Sequence, residues 1–136
     1  MPTPQEFLEM SNRKSQKILV IDDDALFLEA ILDLLEENGF HAIGIQNSLA
    51  AVKTLKQEVF DLILCDIKMP QLNGYEVLMA VRQDPVIEKT PFIFLVAERP
   101  DSDRRRAMEL GANDYLIKPF TTQELIDAIK AQLERY

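Results

Sequence analysis

A single cysteine, Cys65, occurs in the 136 residues, so no disulfide can form within the chain and its fold must rest on packing. Tryptophan is absent, and His41 is the one histidine, so no set of zinc ligands at finger-like spacing can be assembled. Glycine is scarce: Gly39, Gly44, Gly74 and Gly111 form no P-loop pattern. No apolar run approaches the length of a membrane span, and the N-terminus lacks the apolar core of a signal peptide. Together with the lone thiol, this predicts a cytoplasmic protein without membrane contact. Positive charge is also short. Fifteen Lys and Arg face 23 Asp and Glu, and the net charge of −8 excludes a free-standing nucleic-acid surface; no helix-turn-helix signal contradicts that.

Hydrophobic residues supply 47% of the chain and charged residues 28%, the profile of a globular domain able to bury a core. The length predicts one domain, with residues 1–16 as a disordered tail and 17–136 as the folded unit. In the tail, Pro2 and Pro4 are expected to break early structure.

From Lys17 onward, short apolar runs alternate with helical patterns. Strands are predicted at Ile18–Ile21, Phe40–Ile45, Leu62–Cys65, Phe92–Val96 and Tyr115–Ile117. Asp24 can cap a first helix with Leu28, Ile31, Leu32 and Leu35 on one face, and Gly39 stands where a left-handed C-terminal residue belongs. Ser48 is the expected cap of a second helix facing Ala51, Val52 and Leu55 inward. A third helix runs from the Asn73-Gly74 turn to about Arg82, and a fourth carries Arg104–Arg106 outward before Gly111. Thr121 and Glu124 fit a capping box for the last helix, with Leu125, Ile129 and Leu133 as its stripe. Five strands alternating with five helices predict an α/β fold, a (βα)₅ doubly wound parallel sheet of flavodoxin-like order 2-1-3-4-5.

In such a sheet the C-terminal ends of the strands share one edge, where ligands bind. Asp22 and Asp23 close the first strand, Asp66 follows the third, and Lys118 follows the fifth, before Pro119 in a bond expected to be cis. Asp24 suffices as a helix cap, which leaves Asp22 and Asp23 without a folding role. Crowded carboxylates resist ionising together, and a hard cation such as Mg²⁺ relieves that repulsion. The lysine can then balance a second anion, for which phosphate is the natural candidate, and Asp66 can act as a nucleophile toward phosphorus. Cys65, inside the apolar run, reads as a buried small hydrophobe.

Four segments in this order and spacing, Ile18–Asp24, Leu62–Pro70, Asn73-Gly74 and Gly111–Phe120, resemble the receiver domain of two-component response regulators over residues 17 to about 135. The resemblance implies that Asp66 is the phosphoacceptor, fed by a histidine kinase or phosphotransfer protein. It implies Mg²⁺ held by Asp23 and Asp66, by Asp22 largely through bound water, and by the backbone carbonyl of Lys68. Lys118 would contact the phosphoryl oxygens. The module would be a cytoplasmic signalling switch or relay and no classical enzyme, taking phosphate from small donors and losing it slowly. Its fourth helix, fifth strand and fifth helix would meet a downstream protein, with Arg104–Arg106 available to an acidic partner, or a second copy of the chain; nucleic acid would not be contacted directly.

The pattern is broken where receivers place Thr or Ser at the end of the fourth strand: Val96 stands there, followed by Ala97. Its partner in switching, the aromatic on the fifth strand, is matched by Tyr115. A missing hydrogen bond to a charged group costs about 1–3 kcal/mol, the size of a typical allosteric coupling, so it is large enough to weaken or abolish switching without necessarily abolishing phosphorylation. The alternative is a pseudo-receiver, a constitutive protein-interaction module. Ser102 is a weak substitute donor. Lys68 and Glu98 flank the pocket mouth as a rim pair able to obstruct attacking water. Lys68 also stands where aspartyl-phosphate phosphatases need a second acid, which argues against that enzyme class.

Overall fold

A computed structural model describes residues 1, 3–6, 16–97 and 101–134, with the backbone alone at 101–103. Its strands are β1 (Lys17–Ile21), β2 (His41–Ile45), β3 (Leu62–Asp66), β4 (Phe92–Val96) and β5 (Asp114–Ile117). The helices are α1 (Ala25–Glu37), α2 (Ser48–Gln57), α3 (Gly74–Gln83), α4 (Asp101–Glu109) and α5 (Thr122–Leu133). The sheet is parallel throughout, in the order β2-β1-β3-β4-β5. This is the doubly wound arrangement that the alternation of elements predicts.

Alternate strand residues serve two cores. Leu19 and Ile21 of β1, Ile63 and Cys65 of β3, and Phe92, Phe94 and Val96 of β4 pack with α2, α3 and α4. Ile18 and Val20, Leu62 and Leu64, and Ile93 and Leu95 pack with α1 and α5. The central strands therefore need apolar residues at every position, which is why their sequences show unbroken runs.

Helix ends follow the expected chemistry with two exceptions. Asp24 caps α1, accepting from the N–H groups of Leu26 and Phe27 at 3.1 Å. Gly39 takes φ +88° just past the α1 C-cap Asn38. Thr121 and Glu124 form the predicted capping box, and Asn73 with Glu76 forms another at α3. The first exception is Ser48, which does not cap α2. Asn47 does, accepting from the Ala50 N–H at 3.0 Å, and Ser48 is the first helical residue, fully buried. The second is Pro4. Residues 4–6 form one helical turn, with Thr3 Oγ1 accepting from the Glu6 N–H at 3.1 Å. A proline in the first turn sacrifices no hydrogen bond, so Pro4 begins structure there instead of breaking it. Phe7, Leu8 and Met10 lie outside the described residues.

At the N-terminal edge of the sheet, Arg82 ties three segments together. Its guanidinium donates to the carbonyls of Glu88, Thr90 and Gly111 and to Asn113 Oδ1, at 2.6–3.0 Å. Asn113 Oδ1 also accepts from the Phe92 N–H that opens β4. Burial pulls the Arg82 guanidinium below its ordinary value.

Candidate functional site

At the opposite edge, β1 and β3 are in register through Ile21 and Cys65. The next step along each strand brings Asp22 beside Asp66. One carboxylate oxygen from each of Asp22, Asp23 and Asp66 lies within 4.8 Å of the others. Two oxygens that ligate one hard cation stand at most about 4–5 Å apart, so this spread fits a single ion.

Asp22 is fully buried with both oxygens engaged. Its Oδ1 accepts the Asp24 N–H at 2.9 Å, and its Oδ2 accepts from Lys118 Nζ at 2.8 Å. The peptide between Lys118 and Pro119 is cis, as expected. The Lys118 ammonium lies 3.9 Å from the centroid of the Phe27 ring, whose face attracts a cation. Phe27 itself meets Phe120 edge to face at 6.1 Å, so α1 and the segment after β5 together seat the lysine.

Asp66 is half-buried. Its Oδ1 accepts the Ile67 N–H at 2.8 Å, and Oδ2 has no hydrogen-bond partner among the described residues. Burial pushes its carboxyl up to about 6; the Lys118 charge and the Ile67 N–H oppose this, and the Asp22 and Asp23 charges add to it. The Cys65 thiol is pushed well up, by burial first and then by Asp66 and Asp22, and it donates to the Asp66 carbonyl at 3.1 Å. That keeps it an inert packing residue.

The loop after β3 returns close to the strand end. The Gly74 N–H donates to the Ile67 carbonyl at 2.7 Å, and a Cβ on Gly74 would lie 2.2 Å from the Asp66 carbonyl oxygen. Only glycine tolerates that approach. Lys68 stands on this loop with its side chain exposed. Val96 ends β4 at 4% exposure, and its carbonyl accepts the Lys118 N–H at 2.6 Å. Tyr115 is buried in the core shared with Val96. Glu98 lies outside the described residues, and Ser102 falls within α4, its side chain not among those described.

Asp22, Asp23, Asp66 and Lys118 thus meet as their strand-end positions predict, while Lys68 faces outward. Phe27 and Gly74 are neighbours for which the sequence reading assigned no role. The Asn73-x-x-Glu76 pattern signalled the helix start beside Gly74; no local pattern signals Phe27, which reaches Lys118 only in three dimensions. Arg104–Arg106 are exposed as expected, although the Arg106 guanidinium lies 4.4 Å from the Tyr75 ring centroid. Among the described residues, no helix is long and apolar enough to cross a membrane.

The sequence model of the response regulator receiver domain matches residues 18–130. The transcriptional regulatory protein CpxR of Escherichia coli (strain K12) is 41% identical over 119 residues, 88% of this chain and 50% of that protein. The chain spans about half the length of the curated relatives it matches. The receiver domain of the Francisella response regulator 1452 superposes with a TM-score of 0.83 at 30% identity, covering 89% of this chain and 98% of that one. The receiver domain of the sensor histidine kinase PA1611 from Pseudomonas aeruginosa PAO1, solved with a magnesium ion coordinated in its active site cleft, gives 0.82 at 28% identity, covering 88% and 98%. The acid cluster, the strand order and these matches agree, and the chain belongs to the receiver domains of two-component response regulators, which are signalling modules and not classical enzymes.

Proposed function

We propose that Asp66 accepts a phosphoryl group from a histidine kinase or phosphotransfer protein and that the domain serves as a Mg²⁺-dependent signalling switch or relay in the cytoplasm. The observation that carries this reading is the asymmetry of Asp66. One oxygen is fixed by the Ile67 N–H, and the other, which accepts no hydrogen bond from any described residue, lies beside Lys118 and two further carboxylates. As the free oxygen bonds to phosphorus, the donor's P–N bond breaks and its electron pair leaves on the imidazole nitrogen. Above pH about 6 the carboxyl is mostly ionised and ready to attack.

Mg²⁺ would be held by Asp23, Asp66 and the Lys68 carbonyl, and by Asp22 through bound water; it supplies neutralisation of the phosphoryl oxygens. The engagement of both Asp22 oxygens supports a water-mediated role for that residue. Lys118, already at the pocket, contacts the incoming phosphoryl oxygens. The α4-β5-α5 face meets the downstream protein or a second copy of the chain. Lys68 at the mouth slows the loss of phosphate, and a shortened phosphorylated lifetime in Lys68→Ala checks this.

A second reading rests on Val96. Buried at the end of β4 without a hydroxyl, it cannot hydrogen-bond a phosphoryl oxygen, which favours a pseudo-receiver that binds a partner constitutively. Incubation with Mg²⁺ and acetyl phosphate, followed by intact mass, separates the two. A gain of one phosphoryl group, absent in Asp66→Asn, establishes a working phosphoacceptor and turns the question to whether Val96 uncouples output; no gain with Mg²⁺ in excess favours the second.

A further inference from the structure

Ser48 is a fully buried hydroxyl in a helix turn that Asn47 already caps. Its Oγ donates to the Pro70 carbonyl at 2.9 Å and accepts the Leu72 N–H at 2.9 Å. The residue between these two partners, Gln71, holds φ +65°, a left-handed conformation that costs a non-glycine residue free energy. One side chain therefore closes an arch in the loop after β3 from both sides of its strained residue. The start and end of the same loop are joined by the Gly74 N–H bond to the Ile67 carbonyl. Lys68 lies between that join and the arch.

From this geometry we infer that Ser48 is a positioning residue for the phosphorylation pocket: it holds the loop so that the Lys68 carbonyl faces the cation. The inference rests on the metal reading given under Proposed function. Neither the cap nor the packing of α2 requires the hydroxyl, because Asn47 supplies the cap and Ala51 and Leu55 supply the buried face. A ligand carried on a loop must be held to within about 0.5 Å to bind well. Without Ser48, the Pro70 carbonyl and the Leu72 N–H lose their partner, and nothing else among the described residues is bonded to them. The left-handed Gln71 then relaxes, and the carbonyl two residues before Pro70 moves with it.

The test is Mg²⁺ titration by calorimetry, with no phosphodonor present, on the wild type, Ser48→Ala and Asn47→Ala, alongside amide exchange of Leu72. Ser48→Ala is expected to weaken Mg²⁺ binding about three- to tenfold and to speed Leu72 exchange. Asn47→Ala removes the cap of the same helix without touching the loop, and is expected to bind Mg²⁺ as the wild type does. If Ser48→Ala binds Mg²⁺ like the wild type, or if Asn47→Ala loses as much affinity as Ser48→Ala, the positioning role is overturned. Should Ser48→Ala unfold, Ser48→Cys fills the site with a slightly larger atom while weakening both hydrogen bonds and gives the same comparison. Absence of Mg²⁺ binding in the wild type itself would sink the metal reading and this proposal with it.

Discussion

Lys118 Nζ donates to Asp22 Oδ2 at 2.8 Å, a bond between a carboxylate with no exposed surface and an ammonium whose side chain is 19% exposed. Truncating the lysine leaves that carboxylate in place with the Asp24 N–H as its remaining partner. Breaking one side of a buried pair costs about 3–5 kcal/mol, and the residual exposure of Lys118 puts the expected loss for Lys118→Met near the lower end, about 3 kcal/mol. Urea unfolding in EDTA measures it. Mg²⁺ supplies substitute positive charge, so saturating Mg²⁺ should stabilise Lys118→Met more than the wild type. A loss under about 1 kcal/mol would show that solvent already screens the pair.

Asp66 makes stability depend on pH in a direction opposite to that of most salt-bridged acids. Its folded value, about 6, lies above the ordinary 3.8, so the folded state holds the proton more tightly. Stability from this group is fully present below pH about 3.8 and is lost as pH rises through about 6. Asp66→Asn removes the cost. Discounted for the half-exposure of the group, the gain is about 1–2 kcal/mol at pH 7.5 and close to zero at pH 4, in EDTA. Denaturant midpoints at the two pH values check it, and a gain that grows toward acid would refute the assigned direction.

Val96→Thr restores a hydroxyl at the end of β4. In the unphosphorylated protein, a hydroxyl at 4% exposure is expected to cost about 1 kcal/mol. On phosphorylation it acquires an anionic acceptor. The phosphorylated variant should then show altered amide exchange in α4 and β5, where the wild type shows little change. Equal responses from the two proteins would mean that Val96 does not limit switching.

Much of this was legible because parallel sheets are simple to decode. The unbroken apolar runs of β3 and β4 are demanded by burial on both faces, and acids at the ends of such runs are charges that an apolar core accepts only with partners, as Asp22 has in Lys118 and the Asp24 N–H. What stayed hidden depends on contacts between distant segments. Ser48 looks like a cap because serine beside Asn47 at a helix start is locally equivalent to one; only the fold brings Pro70 and Leu72 to its hydroxyl. Arg82 marked only the approximate end of a helix in the sequence, and its acceptors lie up to 31 residues away. Pro4 was read as a breaker, although its effect depends on whether it falls in the first turn or later.

The Arg82 tie has a mechanical consequence. It grips the Gly111 carbonyl just beyond the C-terminal end of α4, while the opposite end of that helix begins near the strand ends that carry the acids. A nine-residue helix is about 14 Å long at 1.5 Å per residue. Held at Gly111 and pushed at its other end, α4 would turn as a lever about that carbonyl. A displacement generated beside Asp66 would then be largest at the N-terminal end of the helix, would be smaller at Arg104–Arg106 in its middle, and would vanish at the guanidinium that anchors it.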